Sequence, residues 1–180
     1  MTHLRIHNRD GLYLSPITIE DKLALLEHLR TKDVYNTTLN IPYPYAPADA
    51  DWWIRKRVEH ARRQDREITF ALRDRGKLIG VVGADSLELG MSHRAEIGYW
   101  IARQYWGQGI MTDAVRTYVR YAFAELAVTR LTAHVFEFNS ASARVLEKNG
   151  FVLEGTLRKH FLKDGRLIDA RLYGLLKDES

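Results

Sequence analysis

The sequence predicts an α+β fold in a single domain, 1–180, built on a mixed and mostly antiparallel sheet with one parallel strand pair and flanking helices. Three observations predict it. Ala95 to Ile101 alternates Ile97, Tyr99 and Ile101 on one face with Glu96, Gly98 and Trp100 on the other, the two-residue period of a strand. Met111, Ala114, Val115, Tyr118, Ala122 and Phe123 then recur at helical spacing, with Asp113, Arg116, Thr117 and Arg120 opposite. Leu131 to Phe136 reads as a further strand, and a strand, helix, strand run of this length implies a right-handed crossover to a parallel neighbour.

The other elements follow in order. Leu4 to Leu14 is strand material broken by a turn at Asn8-Arg9-Asp10-Gly11. Thr18-Ile19-Glu20-Asp21 resembles a capping box and opens a helix to about Arg30, with Leu23, Leu26 and His28 to Leu29 turned partly inward. The prolines of Leu39 to Pro47 forbid helix and central strand, and the tyrosines on this stiff loop either line a substrate mouth or pack over the core. Asp49 to Asp65 is a second helix, acidic at its start and basic toward its end. Ile68 to Arg73 and Leu78 to Leu89 pair across a turn at Asp74 to Lys77. Ser140 to Asn149 forms a short helix ended by Gly150, and Val152 to Phe161 with Leu167 to Leu176 closes the chain as a hairpin.

With 180 residues, 46% of them apolar, the chain is long enough for one well-buried core and short for two. Its 27 Lys and Arg against 23 Asp and Glu give a net charge of +4, which suits an anionic ligand without demanding nucleic acid. The absence of cysteine excludes disulfides, thiolate metal sites and a cysteine nucleophile. No apolar run approaches the roughly 18 residues of a membrane span and the N-terminus has no apolar signal core, so a soluble, cytoplasmic protein is expected. The pattern offers no metal site and does not separate a monomer from a homodimer.

Gln104-Tyr105-Trp106-Gly107-Gln108-Gly109 joins the central strand to the long helix. Helix N-terminal N–H groups lack intrahelical partners and lie beside the positive end of the dipole, so the groups from Gly107 through Gln108, Gly109 and Ile110 to Met111 suit a phosphate, the alternative being a tight strand-to-helix turn with no ligand. Glycine at 107 and 109 permits a sharp turn and close approach of an anion. A dinucleotide fingerprint would need glycine at position 112, which is Thr112, and no Walker-type Gly-Lys-Ser/Thr occurs. Ligands of open sheets settle beyond the carboxyl ends of parallel strands, where this turn lies.

These residues resemble the GNAT superfamily of acetyl-CoA-dependent N-acetyltransferases. Its pyrophosphate signature, Gln/Arg-x-x-Gly-x-Gly/Ala, is matched by Gln104, Gly107 and Gly109, and a second element by Asn139-Ser140-Ala141-Ser142 with Asn149-Gly150-Phe151. Within it, Asn40 to Tyr45, Ala95 to Ile101, and Glu154 to Arg158 with Asp164 to Arg166 look most like the RimJ/RimL-type branch, whose members acetylate ribosomal-protein N-termini and small amines. The resemblance implies a GNAT-like fold whose parallel pair splays at the acetyl-CoA site, and acetyl-CoA as co-substrate. Asn139 is expected to hold the pantetheine arm, with Trp100, Ile101 and Ala102 pairing to it as a surrogate strand.

Acetyl transfer needs a neutral amine, hence a base. Glu96 is the first candidate, on a strand where superfamily members often carry a glutamate; pairing with an arginine is its alternative role. His134, on the neighbouring strand, is the second candidate base, and a packed, hydrogen-bonded histidine is its other role. The departing thiolate needs a donor, often a tyrosine in the helix after the second strand in this superfamily. Arg144-Val145-Leu146-Glu147 has none, and the resemblance to the RimL-type branch points to Ser142, which could equally meet a backbone amide in the first helical turn. Backbone amides near Trp100 or Ile101 are placed to stabilise the oxyanion.

The expected acceptor is a protein N-terminal α-amine of ribosomal-protein type. The alternatives are a small amine such as a polyamine or aminoglycoside-like compound, a ribosome- or RNA-binding module carried by the basic second helix, and a coenzyme A binder without turnover.

Overall fold

A computed structural model describes residues 3–84, 87 and 89–179. It contains one sheet of eight strands: β1 (Leu4–Arg5), β2 (Leu12–Pro16), β3 (Thr69–Asp74), β4 (Lys77–Ala84), β5 (Arg94–Ile101), β6 (Arg130–Phe136), β7 (Val152–Lys163) and β8 (Arg166–Leu176). Their order across the sheet is β1-β2-β3-β4-β5-β6-β8-β7. All neighbours are antiparallel except β5 and β6, whose crossover runs through a long helix.

Among the described residues five α-helices flank the sheet: α1 (Lys22–Leu29), α2 (Lys32–Tyr35), α3 (Pro47–Gln64), α4 (Ile110–Glu125) and α5 (Ser140–Glu147). Alternation along each strand feeds two cores. Phe70, Leu72, Ile79 and Val82 pack with Ala114, Val115 and Tyr118 of α4 and Leu146 of α5, whereas Ala71, Leu78 and Val81 pack with Leu25 and Leu29 of α1 and Ala50 and Ile54 of α3. The sheet is therefore covered on both faces.

Local chemistry fixes the element ends. Asp21 accepts from the Thr18 N–H at 2.8 Å, which completes the capping box, and also receives two guanidinium hydrogen bonds from the buried Arg73 on β3. A single turn of 3-10 helix, Ile19–Asp21, intervenes before α1. Of the residues expected to turn inward from α1, Leu29 is buried and Leu26 and His28 are half-buried, whereas Leu23 is 78% exposed and Leu25 is buried instead.

β4 is described as far as Ala84, and Leu87 and Leu89, expected within it, lie outside any strand. Ala84 N–H donates to Ile68 C=O at 2.8 Å; the phenol of Tyr118 donates to the same C=O and accepts from the same N–H, and Thr69 Oγ1 donates to Ala84 C=O, so α4 braces this part of the β3–β4 ladder. Residues 85, 86 and 88 of the expected strand lie outside the described residues.

One feature of the sheet positions the site. β5 and β6 are in register only from Arg94↔Arg130 to Glu96↔Thr132. Beyond Glu96, β5 continues against β4 as far as Ile101, and β6 against β8 as far as Phe136. The parallel pair thus opens into a wedge toward its carboxyl end, as the family resemblance implies.

Candidate active site

The backbone phase of β5 determines what the wedge offers. Ala102 N–H donates to Ile79 C=O at 2.8 Å, so its register partner is a hydrogen-bonded pair. By antiparallel alternation Trp100 and Gly98 also turn their backbone groups to β4, whereas Tyr99 and Ile101 turn theirs into the wedge. The expected surrogate-strand contacts need correction accordingly. Both backbone groups of Ala102 are engaged within the chain, its C=O by Tyr105 N–H, and Trp100 faces β4, so Tyr99 and Ile101 supply the open edge. The Ile101 C=O is already held by the Trp106 indole N–H at 2.7 Å.

At the wide end of the wedge the chain passes through a 3-10 turn, Arg103–Tyr105, containing Gln104, whose C=O accepts from the Gln108 side-chain amide at 2.9 Å. Gly107 and Gly109 both have φ of 74°, the left-handed region that a side chain strains. A β-carbon on Gly107 would meet nothing within 4 Å, so the turn faces open space. The side chains of Ile110 and Met111 are buried and anchor the first turn of α4. Asp113 N–H makes the first intrahelical bond, to Gly109 C=O at 3.2 Å, which leaves the N–H groups of Ile110, Met111 and Thr112 without helical partners at the positive end of a 16-residue helix.

A neighbour of this turn was not foreseen. Arg9, from the β1–β2 turn, donates to Gln108 C=O at 3.0 Å and pairs with Asp113 at 2.9 Å. Its contact spans about a hundred residues of chain, and no local pattern marks it.

Asn139 caps α5: its Oδ1 accepts from Ser142 N–H at 3.1 Å. The Ser142 hydroxyl lies 2.9 Å from the phenol oxygen of Tyr99, and the phenol also donates to Ser142 C=O at 3.0 Å. Burial pushes the Tyr99 phenol well above its ordinary pKa, so it remains protonated. The sequence reading placed Tyr99 only on the apolar face of β5 and missed this contact.

Glu96 sits at the closed end of the wedge, in the last register pair of β5 with β6. Its Oε1 lies 2.8 Å from Nδ1 of His134 on β6, so His134 is hydrogen-bonded as expected, and its partner is the first candidate base. The His134 ring stacks on His160 with centroids 5.0 Å apart and meets the edge of Phe161. No arginine pairs with Glu96 among the described contacts.

These groups line one cleft of about 1150 Å³ that runs between the glycine turn, Ser142 and Asn139, the Glu96–His134 pair, and the loop and helix formed by Leu39 to Trp53. Of the loop tyrosines, Tyr45 lines the cleft, its phenol pushed up to about 12 mainly by burial, with a smaller contribution from Asp49. Tyr43 leans on Tyr35 instead. Asp49 and Glu96 are the lining carboxylates, against Lys56, Arg57, Arg144 and Lys148, so the cleft is not acidic. The β7–β8 turn is fastened to the same rim, since Tyr35 donates to Asp164 and Lys163 donates to Thr38 C=O. No group of three potential metal ligands occurs among the described residues.

A family model for the acetyltransferase (GNAT) domain matches residues 11–152. The uncharacterized N-acetyltransferase YoaA of Bacillus subtilis is 39% identical over 105 residues, covering 58% of this chain and 59% of that protein. The putative ribosomal N-acetyltransferase YdaF of the same organism is 35% identical over 136 residues, 74% of each chain. Among solved structures, RimL, a ribosomal alpha-N-protein acetyltransferase in complex with coenzyme A, superposes with a TM-score of 0.87 at 18% identity, over 99% of this chain and all of that one. A family match across the whole span from β2 into β7, including the wedge and its glycine turn, makes this chain a member of the GNAT acetyltransferase family.

Proposed function

We propose that the protein transfers the acetyl group of acetyl-CoA to a protein N-terminal α-amine of the ribosomal-protein type. The observation that carries this reading is the wedge itself, which has a carboxylate–imidazole pair at its closed end and a bare helix N-terminus at its open end. A diphosphate fits the N–H groups of Ile110 to Thr112, and the open space at Gly107 admits it. The edge N–H groups of Tyr99 and Ile101 suit the amide-bearing pantetheine arm, as an added strand would.

Bound there, acetyl-CoA supplies an activated acyl carbon. Glu96, its side chain 55% exposed, takes a proton from the incoming ammonium, and His134 holds the carboxylate in place from the other side. The amine nitrogen then forms its bond to the acyl carbon and the carbon–sulfur bond breaks. Edge N–H groups of β5 face the charge developing on the carbonyl oxygen. The sulfur leaves as thiolate, toward the hydroxyl of Ser142, and the amide product gives up its second proton to solvent. Asn139 caps α5 with its side-chain oxygen, which leaves its side-chain NH2 to donate to the pantetheine arm.

The names of YdaF and RimL support a ribosomal-protein acceptor, and a cleft with more cations than carboxylates disfavours a polycationic amine. The test is release of coenzyme A thiol with a panel of ribosomal-protein N-terminal peptides, polyamines and aminoglycosides. Peptide-dependent release supports the reading. Release with polyamines or aminoglycosides alone overturns the acceptor, and tight acetyl-CoA binding without release by any acceptor overturns catalysis.

A further inference from the structure

We infer that Tyr99 positions the Ser142 hydroxyl toward the sulfur of the leaving group, so that the two side chains work as a single donor although only Ser142 touches the substrate. The inference rests on the reading of Ser142 as the partner of the thiolate. A serine hydroxyl on a helix surface ordinarily samples several rotamers and proton directions. Ser142 is instead held at three atoms: its N–H by Asn139, and its C=O and Oγ by the phenol of Tyr99.

The phenol has one proton and two acceptors within reach, at 3.0 and 2.9 Å. When it donates to the C=O, the Ser142 proton points back at the phenol oxygen and is unavailable to the cleft. When it donates to Oγ, that proton is released toward the cleft. An anionic sulfur favours the second arrangement, because a hydrogen bond to a charged acceptor is stronger than one to a neutral phenol oxygen. The neighbouring phenol of Tyr173 donates to Glu147 and does not compete. Burial keeps Tyr99 protonated, so it serves as a fixed donor to Ser142 and does not give its proton away.

The test is a double-mutant cycle on the full chain with Tyr99→Phe, Ser142→Ala and the pair, read without any acceptor. Affinity for coenzyme A is measured by calorimetry from about pH 6.5 to about pH 9, spanning a thiol pKa of about 8.5 if it resembles cysteine. Desulfo-coenzyme A, which has no sulfur to titrate, subtracts the contribution of Arg144, Lys148 and other charges along the cleft. If the pair donates to the thiolate, wild-type affinity for coenzyme A rises about tenfold across this range relative to the desulfo compound, one unit of thiol pKa. Each single variant loses most of that gain, and the double variant is no worse than the poorer single.

A loss in Tyr99→Phe that persists undiminished in the Ser142→Ala background, or that appears equally with desulfo-coenzyme A, shows a merely structural phenol and overturns the inference. If Ser142→Ala keeps the gain and Tyr99→Phe loses it, the phenol reaches the sulfur itself, which overturns the positioning role. If both singles keep the gain, the reading of Ser142 falls and the inference with it, while acetyl transfer stands.

Discussion

Oε1 of Glu96 is hydrogen-bonded to His134, which leaves its second carboxylate oxygen for the substrate. Glu96→Gln is expected to lower kcat by about 10²- to 10⁴-fold, the usual contribution of a general base, with the dissociation constant for acetyl-CoA nearly unchanged. Steady-state kinetics beside calorimetry decide this, and unaltered turnover at saturating acceptor would remove Glu96 from the mechanism. His134→Phe removes the hydrogen bond while keeping the stacked ring, so a smaller loss, about tenfold, is expected. Glu96, Asn139 and Ser142 were legible because strand alternation and a helix start fix where they point. Tyr99 was not, since its parity assigns it to the core with Ile97 and Ile101 and nothing local shows that its hydroxyl reaches α5. Arg9 was illegible for the same reason, its partners lying on an element a hundred residues away.

At the scale of the element, the turn from β5 into α4 is the most constrained connection. Gly109 combines a φ of 74° with an Arg9 guanidinium nitrogen 3.2 Å from where a β-carbon would stand. Gly109→Val adds a branched side chain in the left-handed region, which costs about 1–3 kcal/mol of backbone strain. The turn relieves that strain by rotating its N–H groups away. Coenzyme A affinity should fall at least tenfold while the rest of the fold persists by circular dichroism, and wild-type affinity in this variant would contradict the phosphate seat. The sequence located this turn, both flanking elements and the cap at Gly150 because glycine and helical periodicity are local signals. It carried β4 too far, to Leu89, where Leu87 and Leu89 lie outside any strand and Leu87 is buried in the main core instead. It also turned Leu23 of α1 inward and missed Leu25, a choice that packing against α3 and β4 makes.

For the molecule as a whole, the wedge divides the sheet into β1–β5 and β6–β8, whose strands are paired directly at three register positions. A ligand that spans both halves should stabilise the native state. At a coenzyme A concentration about a hundredfold above its dissociation constant the gain is about 2.7 kcal/mol. For a chain of this size that raises Tm by roughly 5–10 °C. Calorimetric melting with and without coenzyme A measures it, and an unmoved Tm at saturation would argue that the wedge is not the binding site. The basic helix α3 is expected to contribute little to nucleic-acid affinity. Within it Lys56 lies over the Trp52 ring, and just beyond its end Arg66 pairs with Glu125. Filter binding to ribosomal RNA at about 0.15 M salt should therefore show only weak, salt-sensitive retention. The parallel pair and the closing hairpin were legible from the sequence. That β8 and not β7 lies against β6 was not, since either strand of a hairpin could have been the inner one.

The indole of Trp106 has a further consequence. Because it occupies the Ile101 carbonyl, β5 presents more donors than acceptors along its open edge. A compound lying there must bring carbonyl oxygens. An analogue whose arm has methylenes in place of its carbonyls would keep its nucleotide but strand each buried donor at about 1–3 kcal/mol. Inhibitor design for this protein would then gain more from elaborating the amide chain than from decorating the adenine.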